Sequence, residues 1–362
     1  MLQRPSRRHG LGLNTCPGHP RLVGRSAQIG ALALVGLWLS WLPAAAQTPA
    51  EFYKGKQVSI YVGFTAGGTY DLYARVLARH IGRHIPGNPT VVPRNMEGAG
   101  SLRLANYISQ VAPRDGTAIA TIGRSTVAAP LFSHPSAKFD PREFSWLGST
   151  NDEVSICAAW HTSGIKRFDD LKVKEYAFGA TGPTEEAVQV YKAMNALLGT
   201  KVRTVSGYPG GNQISLAMER GEIHGRCAIS WSSIKASLPH WIEEKKFVPL
   251  LQVAAAKHAD LPDVPLLMEL APNEEARQIF RFLVARQVMG RPFFSTPGVP
   301  ADRAAALRKA FIDTLNDPEF LAEADKAKLE INPVPAARVE DLLRELYAVP
   351  ADTTGRAAAL FN

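Results

Sequence analysis

The stretch Gln57-Val58-Ser59-Ile60-Tyr61-Val62-Gly63-Phe64, continued by Thr65-Ala66-Gly67-Gly68-Thr69-Tyr70-Asp71 and then Leu72-Tyr73-Ala74-Arg75-Val76-Leu77, decides the fold. Val58, Ile60, Val62 and Phe64 alternate with Ser59, Tyr61 and Gly63, the two-residue period of a strand. From Asp71 the period changes. Leu72, Tyr73, Val76, Leu77 and Ile81 share one helical face, and Arg75, Arg79 and Arg83 take another. The chain therefore reads strand, glycine turn, amphipathic helix. In an open α/β sheet this edge is where ligands lie, and free N–H groups at a helix start favour an anion. Paired glycines permit close approach to the backbone. The competing reading is that Gly67 and Gly68 only turn the chain while Thr69 or Asp71 caps the helix.

Working outward, the unit repeats. A strand over Thr90 to Pro93 leads to the turn Gly98-Ala99-Gly100, a helix over Ser101 to Val111 and a strand over Ala118 to Gly123. A second set follows: strand Val154 to Trp160, strand Tyr176 to Ala180, helix Glu185 to Leu198, strand Val202 to Ser206, helix Ile214 to Arg220 and strand Ile223 to Ser230. Beyond Phe247 to Val253 a strand is expected over Gln287 to Ser295, then helices over Ala301 to Leu315 and Pro318 to Ala327. This alternation predicts helix-covered, largely parallel sheets. About 300 residues exceed one comfortable core, so two lobes are expected. They are residues 47–152 with 290–362, and residues 153–289, with a cleft between them.

The first 46 residues hold five arginines, no acidic residue, and an apolar run from Ile29 to Leu42 that ends in Ala44-Ala45-Ala46. That layout predicts a secretory signal peptide cleaved after Ala46, in preference to an uncleaved anchor or a twin-arginine signal. Without it the formal net charge falls from +8 to +3 over the remaining 316 residues. No basic stripe carries interleaved aromatics, which argues against a nucleic-acid partner. Cys157 and Cys227 remain after cleavage and can form one bridge. The apolar runs around them favour two buried free thiols instead. No G-x-S-x-G, H-E-x-x-H, C-x-x-C or phosphate-loop pattern is present, so neither enzyme activity nor a cofactor is expected. His80 and His84, four apart on a helix, lack local acidic partners, and no metal site is expected there.

Several short strings then occur in order: Phe64 to Asp71, Asn95-Met96-Glu97-Gly98-Ala99-Gly100, Ala112-Pro113-Arg114-Asp115-Gly116, Tyr208-Pro209-Gly210-Gly211, Leu261-Pro262-Asp263-Val264-Pro265 and Pro297-Gly298-Val299-Pro300-Ala301. In order and spacing the mature chain resembles the solute-binding receptors of tripartite tricarboxylate transporters, the Bug or TctC-like family. The resemblance implies a two-lobed Venus flytrap, the type II periplasmic binding protein fold. It also implies a periplasmic, monomeric receptor that captures a mono-, di- or tricarboxylate and delivers it to membrane transporter subunits. A receptor feeding a membrane sensor and a secreted α/β hydrolase are the alternatives.

Carried onto this sequence, the family's carboxylate grip falls on Ala66, Gly67, Gly68, Thr69 and Asp71 in the first lobe, and on the turn Thr181-Gly182-Pro183-Thr184 in the second. Thr181 and Thr184 would be hydroxyl donors there; a helix cap with Pro183 at the first helical position competes with that role. Two departures stand out. Ala66 replaces the proline that commonly precedes the paired glycines, and Glu185 and Glu186 at the second turn oppose a bound anion. Among residues at strand ends, Arg124 is the candidate for a distal carboxylate, with Ser125 beside it, and Tyr208 and Trp231 are candidates to line or cover the ligand.

Overall fold

A computed structural model describes residues 47–361; the signal peptide expected at the amino terminus lies outside them. Eleven strands form two sheets among the described residues. The first contains β1 (Gln57–Val62), β2 (Thr90–Asn95), β3 (Ala118–Thr121), β4 (Ser145–Ser149), β10 (Pro292–Ser295) and β11 (Val334–Pro335), in the order β11-β4-β10-β3-β1-β2. The second contains β5 (Ser155–Trp160), β6 (Tyr176–Ala180), β7 (Val202–Ser206), β8 (Gly225–Ser230) and β9 (Phe247–Val253), in the order β7-β6-β8-β5-β9. Each sheet joins a parallel half to an antiparallel half. β2-β1-β3 and β7-β6-β8 run parallel, whereas β10, β4 and β11 in one sheet, and β5 and β9 in the other, run antiparallel to their neighbours.

The helices, in chain order, begin with α1 (Pro49–Tyr53), α2 (Thr69–Ile81), α3 (Leu102–Gln110), α4 (Glu186–Leu198), α5 (Gly211–Glu219) and α6 (Trp231–Ser237). They continue with α7 (Pro239–Glu243), α8 (Glu274–Ala285), α9 (Ala301–Leu315), α10 (Pro318–Lys326), α11 (Ala336–Tyr347) and α12 (Ala351–Phe361). α2 forms where the apolar period changes; it buries Tyr73, Val76, Leu77 and Ile81 against the first sheet and turns Arg75 outward. Its basic residues meet acids from α10 and the turn before it. Arg79 and His80 bind Glu323, and Arg83 and His84 bind Asp317, so the two histidines find carboxylates remote in sequence.

Chain crossings between the sheets fall at Ser149–Ser155 and around Gly290, where Gly290 N–H donates to Asn151 O and Glu153 N–H to Gln287 O. Gly290 is confined there, since an added Cβ would lie 2.8 Å from Glu153 Cβ and 2.9 Å from Asn151 O. α11 packs on β4, but the last helix does not stay with the first sheet. α12 lies against α4, where Lys192 Nζ donates to Phe361 O.

Several expectations need correction. Cys157 and Cys227 form a disulfide between β5 and β8 and are not free thiols. Both are fully buried, as their apolar surroundings imply, but the two strands are adjacent and antiparallel, so the cysteines meet. Only the last part of the strand expected over Gln287 to Ser295 is extended, because Arg286–Val288 form a helical turn at the crossing. β4 and α8 were not anticipated, although α8 carries a helical period that buries Ala276, Ile279, Phe280 and Leu283 behind an Asn273 cap. β4 is buried throughout most of its length, which removes the alternation that identifies a half-exposed strand.

Candidate functional site

A cleft with about 830 Å³ of space not filled by atoms, partly open to solvent, lies where the two sheets face each other. Phe64, Thr65, Gly68, Thr69, Tyr70 and Arg124 line it from the first side, and Glu185, Asn212 and Arg226 from the second. Helix starts converge on it. Thr69 and Tyr70 open α2, Gly211 and Asn212 open α5, Glu185 and Glu186 stand at the start of α4, and Ser230 precedes α6. The first N–H groups of a helix have no partner within it and carry the positive end of its dipole.

The turn before α2 leaves such donors available. Gly68 is the N-cap and supplies no side chain, so neither Thr69 nor Asp71 caps the helix in the expected way. Asp71 instead reaches back to accept from Gly67 N–H at 2.8 Å. It also binds Arg75 Nε at 2.7 Å and Asn95 Nδ2 at 2.9 Å. Burial would raise the Asp71 pKa, but these donors outweigh it and hold the carboxyl below its ordinary value. The carboxylate thus braces the turn from behind. Gly67, at φ +80°, needs its lack of a side chain to make the bend.

The second-lobe turn is built on the same device with another result. Glu185 caps α4, and its carboxylate accepts from the N–H of Thr181 and, at 2.9 Å, from the Thr181 hydroxyl. Pro183 therefore precedes the helix, and Thr184 donates to Ala99 O at 3.1 Å across the cleft. Gly182 is pressed against the same loop; a Cβ there would lie 2.8 Å from Ala99 C and 2.9 Å from Gly100 N. Asn212 Nδ2 makes a second bridge, donating to Gly67 O at 2.9 Å. The lobes are in contact at both turns.

The guanidinium groups differ in what they have left to offer. Arg124 is 4% exposed and bound to Glu186 at 2.7 Å, to Ser230 at 3.3 Å, and to Ser155. Burial would lower its pKa, but Glu186 and more distant acids outweigh that and raise it. Burial likewise opposes ionisation of Glu186, and Arg124 and Arg286 overcome it. Arg124 therefore lines the cleft while paired within the protein to Glu186. Arg291 is similarly engaged, with Gly290 O at 2.9 Å, Ser233 at 2.9 Å and Glu153 at 3.4 Å, and it lies over the Tyr70 ring.

Arg226 differs in having no ion pair among the described residues, although Arg291 Nε, like its own, is buried without a partner. It is 6% exposed, and its Nη1 donates to Gly211 O at 2.8 Å and Ser215 Oγ at 3.4 Å. Its buried Nε has no partner. Burial depresses its pKa while Glu185 pulls the other way; burial also raises the Glu185 pKa against the pull of Arg226 and Thr181.

Of the residues expected at the site, Gly68, Thr69, Arg124, Ser125 and Thr181 line the cleft together. Ala66, Gly67 and Asp71 stand outside its lining, and Thr184 is committed to Ala99. Tyr208 lines a neighbouring recess with Phe64, Glu97 and Thr181. Trp231 does not cover the cleft: it packs near Phe247, and its Nε1 donates to Asp260 at 2.8 Å. Arg226 and Arg291 were missed. Their signal is an arginine beside an apolar strand, since a buried charge needs a partner or a purpose.

No protein-family model matches the chain. The chain is 27% identical over 249 residues to the UPF0065 protein in the gbd 5′ region of Cupriavidus necator, spanning 66% of this chain and 71% of that one. It is 30% identical over 108 residues to the BugT protein of Bordetella pertussis, 30% of this chain and 32% of that one. Among solved structures, the periplasmic binding protein BugD superposes with a TM-score of 0.67 at 18% identity, covering 85% of this chain and 97% of that one. MatC from Rhodopseudomonas palustris, with bound malate, gives 0.65 at 18% identity over 85% and 99%. These likenesses are to proteins of the Bug and TctC type, and the two-lobed α/β fold that the chain shares with the solved structures is that of the periplasmic binding proteins.

Proposed function

We propose that this chain is a periplasmic solute-binding receptor, exported by a signal peptide cleaved after Ala46, that captures a small carboxylate and passes it to a tripartite tricarboxylate-type membrane transporter. The observation that carries the reading is the uncapped start of α2, with Gly68, Thr69 and Tyr70 at the cleft wall and Asp71 fixed behind them. A carboxylate there accepts the Thr69 and Tyr70 N–H groups and gains from the helix dipole. The malate described in MatC, and the adipate described in another Rhodopseudomonas palustris protein of this fold, support the class of ligand. No helix among the described residues is long and apolar enough to cross a membrane.

Binding begins in this account with the acid on the first lobe. The second lobe then closes through the crossings at Ser149–Ser155 and Gly290, and the Thr184–Ala99 and Asn212–Gly67 bridges form. Closure follows from tighter binding to the closed state. The receptor releases its ligand chemically unchanged.

The test is a thermal-shift screen of protein unfolded, freed of carried-over ligand and refolded, against aliphatic and aromatic mono-, di- and tricarboxylates. An acid present at 100 times its Kd adds about 2.7 kcal/mol of stability. Gly68→Val, whose Cβ meets only Thr65 O at 3.3 Å, should fold and lose at least about tenfold in affinity. Unchanged affinity would make the turn only a turn. Turnover of a model ester would overturn the receptor reading itself.

A further inference from the structure

Helix α6 belongs to the second lobe but leans on the first. Ala236 packs against the first lobe's core beside Tyr70 and Leu72, and the Ser237 hydroxyl lies 3.5 Å from that of Thr69. From the same helix Lys235 reaches Glu330, which stands between α10 and β11 of the first lobe, and the two form an ion pair. The Tyr73 hydroxyl donates to the Glu330 carbonyl at 3.0 Å, so that end of the pair is fixed to α2. Lys235 has a second carboxylate in its own lobe, Asp260, at 3.4 Å. Asp260 accepts from the Trp231 indole at 2.8 Å and is thereby tied to α6 itself. Burial would lower the Lys235 pKa, but Glu330 and, after it, Asp260 outweigh burial and raise it. None of these three charged residues lines the cleft.

One cation is thus shared between a carboxylate that travels with it and one that it leaves when the lobes part. A pair within one lobe persists in both states, whereas a pair across the lobes counts only in the closed one. As Glu330 withdraws, Lys235 turns to Asp260, and its charge is never left unanswered. We infer that Lys235 is a positioning residue that switches between Glu330 in the closed receptor and Asp260 in the open one, so that the two carboxylates bias closure in opposite directions. Because the switch touches no solute, it scales the affinity for every ligand by the same factor. It rests on the hinged closure proposed above and not on which acid the cleft takes. Glu330 and Asp260 are 34% and 46% exposed, which keeps each contribution small and the closure reversible.

The test is the distance between spin labels on Leu216→Cys in α5 and Leu321→Cys in α10, exposed positions of opposite lobes, measured by pulsed electron resonance on the ligand-free, refolded mature chain with its disulfide intact. All variants are compared at one pH, since His258 stands 3.5 Å from Asp260 and 3.9 Å from Glu330. The unaltered protein should show a short and a long distance. Glu330→Gln should lower the short-to-long ratio about two- to fivefold, the range of a partly exposed ion pair. Asp260→Asn, which keeps an acceptor for Trp231, should raise the ratio. Lys235→Glu alone should deplete the short distance, and adding Glu330→Lys should restore it, a rescue that a merely structural role would not give. A single distance in the unaltered protein, an unchanged ratio in Glu330→Gln, a lowered ratio in Asp260→Asn or a failed rescue overturns the switch and leaves the carboxylate reading intact. The expected shifts, together with silence towards every carboxylate screened, would uphold the switch and overturn the carboxylate reading alone.

Discussion

The two turns at the cleft, one from each lobe, share a design and differ in outcome. In each, a backbone N–H donates to a carboxylate four residues later: Gly67 to Asp71 in the first lobe, Thr181 to Glu185 in the second. Asp71 is also tied to Arg75 and Asn95, so its charge is answered outside the cleft and the helix start faces the cleft with unused donors. Glu185 has no such tie and lines the cleft itself. The same local hydrogen bond therefore makes one turn a donor surface and the other an acceptor surface. What separates them is the counter-charge four residues further along α2, for which α4 offers Gln189, engaged by Arg286.

The comparison can be broken most severely at Gly182. A side chain there collides with the Ala99–Gly100 backbone, so Gly182→Val should keep the lobes from meeting and cost at least about a hundredfold in affinity, roughly 2.7 kcal/mol. Small-angle scattering in saturating ligand would show a persistently wider particle; normal compaction would mean that Gly182 need not touch the Ala99–Gly100 loop. Replacing both Cys157 and Cys227 by alanine removes the link beneath β8, the strand that carries Arg226. A loss of roughly 2–5 kcal/mol in denaturant unfolding is expected, with ligand affinity falling as Arg226 loosens. Unaltered stability would show that the bridge contributes nothing to the second lobe.

Smaller effects sharpen the contrast. Asp71→Asn leaves Arg75 without its carboxylate; because Arg75 is partly exposed, about 1–2 kcal/mol is expected from chemical denaturation. The pH sign follows from the depressed pKa of Asp71. Its contribution is complete above the unfolded aspartate value of about 3.9 and disappears as pH falls through the lower folded value. The Asn variant should lack that acid-side loss, and an unchanged acid limb would assign it to other carboxylates. Thr184→Val deletes one bridge between the lobes and should weaken the best ligand by no more than about tenfold, within the usual 0.5–1.5 kcal/mol for one hydrogen bond.

Much of this architecture was legible in the chain. The change of period at Asp71 locates the start of α2 within two residues, and the expected helix from Glu185 misses α4 only in counting its N-cap. β1, β2, β6 and β7 could be read because each leads through a glycine or proline turn into a helix. The site was legible in its turns and not in its charges. Whether Arg124 faces a ligand or Glu186 is decided by a partner 62 residues away, and that is a property of how the lobes meet. Trp231 follows β8 beside the cleft, yet Asp260, 29 residues on, draws its indole into the second lobe's packing. Neither outcome leaves a local pattern. Thr181 and Thr184 look interchangeable in sequence; only the approach of Ala99 distinguishes them.

The most direct measurement is a crystal structure of the refolded protein with its tightest acid. The expected result is a carboxylate whose oxygens lie about 2.9 Å from the backbone nitrogens of Thr69 and Tyr70. An acid bound in the cleft by second-lobe groups alone, with those nitrogens still unmet, would contradict it.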